Sequence, residues 1–381
     1  DTLVSVIKDV TTDFRGAMCI DSFSVEALLQ AIEVYPGRPI INSISLEEYA
    51  PGVDKIDAVV APTCKHDPVY IALATGPKGP AITAIEKADL AKQIYEKCHS
   101  KYGIRANQII VDVNAFPIGS ESDDDMNFAM ESIKSIPLIK KVHPDLKVSM
   151  GVGNLTNGLA KKPYMRKVLT SVFMDEARKA GLDAAIINPN HYVPVESLDE
   201  GDVAIARKVI LERDMDCFEK LEEIADAKKG VVKKKCVYED LPLEQAICQK
   251  VKDGFKQRKA GTLQEGDFTY EYQDLIVLQV VEAIKKHAPL DFINKYLMAA
   301  MKELGDGFGL GEVSLPHLLK SADVMKHAMG YIEAYMKHKS GTDVHDEIQY
   351  KGTVVLGTVY QDVHSIGKDL VKTLLDRKSV V

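Results

Sequence analysis

An alternation of short apolar runs with longer amphipathic segments constrains the fold more than any other feature of this chain. The runs, rich in Ile and Val, lie at residues 17–20, 39–44, 57–61, 108–113, 146–151 and 184–187. Segments with helical periodicity fill 84–100, 123–140 and 162–180. Runs of this length suit buried parallel strands, and the segments between them suit crossover helices. The pattern predicts an α/β domain over residues 1–230.

Two architectures fit the six βα units of this domain. A doubly wound sheet is one of them, and a (β/α)8 TIM barrel that lacks its first two strands is the other. We favour the truncated barrel. The absence of an initiator Met agrees with it, and we expect the start of the domain to be missing.

The character of the sequence changes near residue 241, where the strand signals stop. Four helical stretches follow at 243–258, 272–287, 290–304 and 315–337. Pro289 and a glycine-rich turn at 305–311 separate the later ones. Helices joined by short connections pack naturally as a bundle, so we predict an all-α four-helix-bundle domain over 238–340.

A polar hinge at 337–347 precedes a last strand and the opening of a helix at 348–375. A single strand has no parallel neighbour to pair with, so this segment is expected to be a C-terminally truncated Rossmann-like domain. The final residues 376–381, DRKSVV, are interpreted as a non-native tail.

Composition narrows the function classes. With 46% hydrophobic and 27% charged residues the chain is globular in type, and no window approaches the roughly 18 apolar residues of a membrane span. The first residues lack a signal-peptide layout, so a cytoplasmic location is expected. A net charge of −8 gives no attraction to nucleic acid or to anionic membranes. The six cysteines are scattered, which indicates separate reduced thiols rather than disulfides or structural zinc.

Polar side chains fall at the ends of several predicted strands. Asp21, Asn42 and Asp112 each end an apolar run, and Asn154 follows another. Such residues also cap helices and begin turns, but four at successive strand ends favour an active-site mouth. A carboxylate beside amides suits a flat heterocycle that carries an amino group next to a ring N–H, because the carboxylate accepts both bonds. A pterin is such a ring.

Four segments carry a family resemblance across this domain. They are CIDSFS (19–24), INSIS (41–45), IIVDVNAF (109–116) and GVGNLTNGL (151–159). In this order they resemble the pterin-binding barrel of methyltetrahydrofolate methyltransferases, especially the cobalamin-dependent methionine synthase family. The resemblance implies that Asp21, Asn42, Asp112 and Asn154 bind the pterin. It also implies catalytic roles for Asn154, which would lie near N5 of the pterin, and for Asp112.

A second motif lies in the last predicted domain. Asp362, His364 and Gly367 form a DxHxxG pattern directly after a strand. A corrinoid cobalt needs a neutral imidazole below it, an Asp two residues earlier can hold the other ring N–H, and a Gly allows close backbone approach. A lone DxH is more often an ordinary turn, but after the predicted bundle the pattern indicates His364 as the cobalt ligand, with Asp362 and Gly367 as cofactor-binding residues. Ser365 departs from the family, which usually has Asp at this position.

The predicted bundle resembles the helical cap over methylcobalamin in the same family. The resemblance covers residues 305–326 and matches Phe308 and Leu315 to the two apolar residues that cover the cobalt-bound methyl group. An alkyl–cobalt bond needs a dry lid. Taken alone, either residue is better explained as bundle core. The implied cofactor is cobalamin, in the form of methylcobalamin.

The resemblance implies an enzyme, a methyltransferase of the 5-methyltetrahydrofolate–homocysteine S-methyltransferase type. A methyl group would pass from 5-methyltetrahydrofolate to cob(I)alamin and then to homocysteine, giving methionine and tetrahydrofolate. Homocysteine would bind a zinc-containing domain that is not in this chain, either missing or a separate protein, and a reductive reactivation partner is implied. Two alternatives stay open: a methyltransferase with another final acceptor, and a non-enzymatic cobalamin-binding sensor.

Overall fold

The computed structural model describes residues 2–121, 126–230 and 237–340, which form two compact units. The first unit contains 2–157 and 162–228, and the second contains 158–161 together with the described residues from 229 onwards. The segments 348–375 and 376–381, predicted as a truncated domain and a tail, lie outside the described residues.

The first unit alternates strands and helices. Its strands are β1 (Cys19–Asp21), β2 (Ile40–Ile44), β3 (Glu48–Ala50), β4 (Val53–Asp54), β5 (Val69–Leu73), β6 (Thr75–Gly76), β7 (Gly79–Pro80), β8 (Ile109–Asp112) and β9 (Lys147–Ser149). Its helices are α1 (Thr2–Asp13), α2 (Val25–Val34), α3 (Lys55–Thr63), α4 (Ala84–Tyr102), α5 (Phe128–Val142), α6 (Pro163–Lys179), α7 (Glu200–Glu212) and α8 (Met215–Lys228).

A five-stranded parallel sheet organises this unit, with the order β1-β2-β5-β8-β9. The order follows the sequence without the reversal that defines a doubly wound sheet. The strands predicted near 17–20, 39–44, 108–113 and 146–151 are confirmed. The run at 184–187 contributes one parallel bridge, in which the Ile186 N–H donates to the Met150 carbonyl at 2.8 Å.

One strand prediction is wrong. The run 57–61 lies in helix α3, because Asp54 caps the helix by accepting the Asp57 N–H at 2.9 Å. Ile56, Val59 and Val60 are all fully buried at a spacing that places them on one side of the helix. A short apolar run does not by itself distinguish strand from buried helix. The strand is instead β5, which begins at Val69, eight residues after the end of the predicted run. It follows a turn at Asp67-Pro68.

The second unit is mainly helical. Its helices are α9 (Leu243–Lys252), α10 (Ile276–Ile284), α11 (Pro289–Phe292), α12 (Met298–Gly309) and α13 (Leu315–Ser340), with a π-helical turn at Ile293–Leu297 between α11 and α12. All of them contribute to one apolar core, represented by Ile247, Val280, Phe292, Met301 and Ala328.

A β-hairpin in this unit corrects the prediction that strand signals stop near 241. Strands β10 (Arg258–Glu265) and β11 (Phe268–Asp274) pair antiparallel around Gly266, whose φ of 64° suits glycine. Partly buried Tyr270 and Tyr272 alternate with exposed residues, which is a strand period. Buried Asp274 ends the hairpin, and its carboxylate accepts the Gln257 and Ile276 N–H groups, each at 3.0 Å. Helix α10 therefore begins at 276 rather than 272.

The predicted turn at 305–311 begins later than expected. Gly305 and Gly307 both lie within α12, which ends at Gly309. Val313 folds back over this helix end, and its N–H donates to the Gly307 carbonyl at 3.2 Å. A Cβ atom at 307 would lie 2.9 Å from the Val313 Cγ2, so glycine at this position makes room for Val313.

No helix among the described residues is both long and apolar enough to cross a membrane. Of the six cysteines, the five within the described ranges (Cys19, Cys64, Cys98, Cys217 and Cys248) are free thiols.

Two glycine substitutions in α12 are expected to have opposite effects. Gly305→Ala should raise the free energy of unfolding by about 0.5–1 kcal/mol, because alanine favours the helix and no atom lies within 4 Å of the added methyl group. Gly307→Ala should lower it by about 1 kcal/mol, because the methyl group overlaps Val313. Urea unfolding followed by circular dichroism measures both changes, and equal stabilisation by the two variants would contradict this packing.

Candidate functional site

The carboxyl-terminal edge of the parallel sheet collects the four polar residues predicted in the first unit. Asp21 ends β1 directly beside Asn42 on β2. Asp112 ends β8, with Leu73 of β5 on one side and Ser149 of β9 on the other. Asn154 lies in a 3₁₀ turn, Val152–Thr156, just beyond β9. The structure therefore brings all four to one edge of the sheet, on β1, β2 and β8 and on the loop after β9.

Asp112 is the most enclosed of the four. It is 6% exposed, and its Oδ1 accepts the Asn114 N–H at 2.9 Å. Burial raises the pKa of this carboxyl group to about 6, while the Asn114 amide, the positive charge of Lys87 and the Gly151 amide act in the opposite direction. The site thus contains a carboxyl group that changes its ionisation close to neutral pH.

Asn114 fixes the end of β8 against β5. It has a φ of 53°, a left-handed conformation that asparagine tolerates better than most residues. Its Nδ2 donates to the Ala74 carbonyl at 3.0 Å and to the Thr75 Oγ1 at 3.1 Å. The direction of the chain after Asp112 is therefore set by side-chain bonds as well as by the strand.

The other three predicted residues are more accessible. Asp21 and Asn154 are exposed, and Asn42 is partly buried. The Asn154 Oδ1 lies 3.5 Å from the Asn157 Nδ2, and its N–H donates to the Gly151 carbonyl at 3.1 Å. The side chains of Asp21, Asn42 and Asn154 are thus accessible at the sheet edge, whereas the Asp112 carboxyl group is buried.

A polar cluster beyond β2 was missed by the sequence analysis. Lys55 is 6% exposed, and its Nζ lies 3.5 Å from the Ser43 Oγ. Ser45 is fully buried and donates to the Glu47 Oε2 at 3.0 Å. Burial lowers the pKa of Lys55 and raises that of Glu47, and the carboxylates of Glu47 and Asp21 partly oppose the change at Lys55. The available signal was the alternation of polar and apolar residues after Asn42, in which Ser43, Ser45 and Glu47 share one period.

A buried lysine behind Asp112 was also missed. Lys87 lies in the first turn of α4 and is fully buried. Burial lowers its pKa to about 7, against the opposing charge of Asp112. In the sequence it stands within IEKADL, between two acidic residues, and looks like part of a solvated helix face.

Phe308 and Leu315, the predicted cap residues, lie in the second unit. Phe308 is partly buried at the margin of the helical core near the end of α12, and Leu315 is 3% exposed at the start of α13. Leu310 between them is 59% exposed. The turn between α12 and α13 therefore presents apolar surface at Phe308 and Leu310, as a lid requires, while the burial of Leu315 agrees with the bundle-core explanation as well.

Asp362, His364 and Gly367 lie outside the described residues. Among the residues that the structure describes, no group of three or more His, Cys, Asp or Glu side chains could hold a metal ion. Cobalt in a corrinoid needs a single imidazole from the protein rather than such a cluster, so the apolar turn is the feature of the described chain that fits this cofactor.

Known families match both units. The pterin binding enzyme family matches residues 1–188, and the B12 binding domain family matches residues 273–333. The chain is 30% identical over 362 residues to a methionine synthase of Mycobacterium tuberculosis (strain ATCC 25618 / H37Rv), covering 93% of this chain and 28% of the relative. It is 29% identical over 362 residues to a methionine synthase of Mycobacterium leprae (strain TN), with the same coverage. The chain thus spans 28% of the length of these curated relatives.

A region that matches pterin binding enzymes and a region that matches the B12 binding domain therefore lie on one chain. These matches support a fragment of the cobalamin-dependent methionine synthase family, as the resemblance of the strand-end motifs predicted.

The burial of Asp112 predicts a pH-dependent stability change. Its pKa of about 6 in the folded chain exceeds the ordinary 3.8, so folding takes up a proton between these values. The ionised carboxylate therefore costs stability above pH 6, and this cost disappears as the pH falls towards 4. Asp112→Asn, which keeps an acceptor for the Asn114 amide, should raise Tm at pH 7.5 and raise it less at pH 5.

Thermal unfolding at the two pH values measures this effect, with the exposed Asp145→Asn as the control that removes one carboxylate elsewhere. The control should show the same difference from wild type at both pH values. A larger gain for Asp112→Asn at pH 5 than at pH 7.5 would show that Asp112 is not destabilised by burial.

Proposed function

We propose that this chain is part of an enzyme that transfers a methyl group from 5-methyltetrahydrofolate to homocysteine with cobalamin as carrier, giving methionine and tetrahydrofolate. The observation that carries the proposal is Asp112, a buried carboxyl group at a strand end within a region that matches pterin binding enzymes. The B12-binding match on the same chain supports a corrinoid as the partner of the folate.

The architecture that goes with this function is a TIM barrel. The five parallel strands follow one another in sequence order, as the strands of such a barrel do, and the bridge from Gly151 to Ile186 extends the series. We propose a pterin-binding barrel domain over 1–230, a cobalamin cap over 238–340 and a Rossmann-like cobalamin domain from 348.

Four residues are proposed to hold the pterin. The Asp112 carboxylate would accept the two adjacent N–H groups at one side of the ring, one on each oxygen. Only the ionised carboxylate has both oxygens available as acceptors. Asp21 and Asn42, paired across β1 and β2, would bind other polar atoms of the ring. Asn154, exposed beyond β9, would reach the N5 side, where the methyl group is attached.

Removal of the methyl group sets the chemical demand on the site. A tertiary amine is a poor leaving group unless its nitrogen is protonated, so the site must favour positive charge at N5 as the bond breaks. The Asn154 amide can orient and hydrogen-bond this nitrogen but has no acidic proton at neutral pH. We propose that the proton arrives through water, and that Asp112 and Asp21 stabilise the charge.

When bound, cobalamin supplies a cobalt centre that carries the methyl group between donor and acceptor. Phe308 and Leu315 are proposed to cover its upper face, and the apolar surface at Phe308 and Leu310 supports a water-excluding lid. His364, with Asp362 and Gly367, is proposed to hold the lower face. Homocysteine would bind a zinc-containing domain on another part of the protein or on a partner, and a reductive partner would restore the cofactor.

Folate binding is the direct test of the site. Titration calorimetry with 5-methyltetrahydrofolate should show one site per chain, and Asp112→Ala should abolish binding while leaving the circular dichroism spectrum unchanged. Absence of binding to the wild-type chain would refute the proposed function. Methyl transfer to thiols other than homocysteine is then measured. Transfer to another thiol in preference to homocysteine would favour the alternative of a different final acceptor.

The roles of the strand-end residues predict a separation of affinity from rate. Asn154→Ala should lower the rate of methyl transfer from 5-methyltetrahydrofolate to added cob(I)alamin by about 100-fold and change the folate Kd by only a few-fold, because its contact is strongest as N5 gains charge. Asp21→Asn should mainly weaken the Kd. Single-turnover absorbance measurements and calorimetry give the two quantities, and the reverse ranking would contradict the assignment.

A further inference from the structure

Lys87 is held by the two residues that follow Asp112 and by a serine of helix α5. Its Nζ donates to the Val113 carbonyl at 2.6 Å, to the Asn114 carbonyl at 3.0 Å and to the Ser132 Oγ at 2.9 Å. An ammonium group has three donors, and these three acceptors use all of them. Two of the acceptors belong to the two residues that directly follow Asp112, so Lys87 ties α4 to the end of β8.

The hydrogen bonds of Lys87 do not explain its charge, which is also stabilised by the Phe116 ring, whose centroid lies 5.2 Å from Nζ. All three acceptors are neutral, and burying an ammonium group among neutral dipoles is costly unless an opposite charge lies near. The carboxylates whose charge acts on Lys87 are Asp112, Glu131 and Glu86, in that order.

Two of these three carboxylates are engaged elsewhere. Glu131 on α5 accepts the Ala84 N–H at 2.7 Å and lies 3.1 Å from the Lys134 Nζ. Glu86 closes the capping box of α4 with Thr83. The Asp112 carboxylate instead accepts backbone N–H groups from Asn114 and Gly151, and the positive side chain that acts on it is Lys87. Lys87 and Asp112 therefore form a pair through the effect of their charges rather than through a direct contact.

We propose that Lys87 is a positioning residue of the pterin site, which fixes the turn after Asp112 and places a positive charge behind its carboxylate, so that the carboxylate is ionised when a pterin binds. The proposal rests on the proposed function and deepens it, because it identifies what makes a buried carboxyl group usable as a double acceptor. Lys87 would act through Asp112 and would not touch the substrate.

The titration of the pair agrees with this geometry. Burial is the largest influence on both groups, and in each residue the charge of the other opposes it; the net result is a pKa of about 6 for Asp112 and about 7 for Lys87. The other charged groups that act on Lys87 are Glu86 from α4 and Glu131 from α5, and the Asn114 and Gly151 amides act on Asp112. Without the Lys87 charge, burial would keep Asp112 protonated to a higher pH.

The test is the pH profile of folate affinity in Lys87→Met, which keeps the length and apolar body of the lysine side chain without its charge. Calorimetry with 5-methyltetrahydrofolate between pH 5.5 and 8.5 should show the loss of binding at low pH moved upward by about one pH unit. That shift corresponds to a loss of affinity close to tenfold at pH 5.5, about threefold at pH 6.5 and less than twofold at pH 8.5. A merely structural role would lower the affinity by the same factor at every pH.

Lys134→Met is the matched control. It makes the same substitution at another lysine near this region, and the Lys134 side chain is 53% exposed. Its profile should coincide with that of the wild type. Lys87→Gln, neutral but with donors, should share the shifted profile of Lys87→Met. Wild-type binding together with an unshifted profile in a folded Lys87 variant would overturn this proposal alone, whereas absence of wild-type binding would overturn the proposed function and this proposal with it.

If neither Lys87 variant folds, the wild-type chain decides the question. Folate binding excludes water and holds Asp112 as the carboxylate, so the pKa of Lys87, followed by the ¹³C chemical shift of its Cε, should rise when the ligand is added. An unchanged titration would overturn the proposal.

Discussion

The electrostatic balance at the end of β8 is the constraint on which the candidate site depends. A carboxyl group as enclosed as Asp112 loses most of its hydration, and burial favours its neutral form. Two backbone amides and one buried lysine oppose that loss. Burial of the ionised carboxylate lowers the stability of the fold. It also makes the carboxylate a strong acceptor for a flat ring with paired N–H groups, because little water competes for it.

The surrounding sheet supplies the geometry for this balance. Parallel strands place their carboxyl ends at one edge, so residues from distant parts of the sequence meet there. Asn114 then joins β8 to β5 through Ala74 and Thr75, and Lys87 joins β8 to α4 and α5 through Val113, Asn114 and Ser132. The site residue with the least exposure is thus held by three neighbouring elements, while the exposed Asp21 and Asn154 occupy its rim.

In the second unit, a shared apolar core holds several short helices in one arrangement. Its core runs through all the helices, and the hairpin covers one side with Phe268, Tyr270 and Tyr272. Buried Asp274 ends the hairpin and starts α10 by accepting an N–H from each side. At the other end Gly307 lets Val313 close over α12, which sets the course of the turn that carries Leu310. The exposed Leu310 on this turn is the apolar surface on which the proposed cap role depends.

The sequence by itself determined the alternation of strands and helices, the edge at which Asp21, Asn42, Asp112 and Asn154 meet, and the family. These follow from local periodicity and from the rule that parallel strands end together, so no tertiary contact was needed. Tertiary structure decided that 57–61 is a helix and that 258–274 is a hairpin, because short apolar or mixed runs suit both states until packing selects one. It also decided the role of Lys87. A lysine on an amphipathic helix has the same local sequence whether it faces solvent or the core, and only the packing of α4 against β8 and α5 buries its charge behind Asp112.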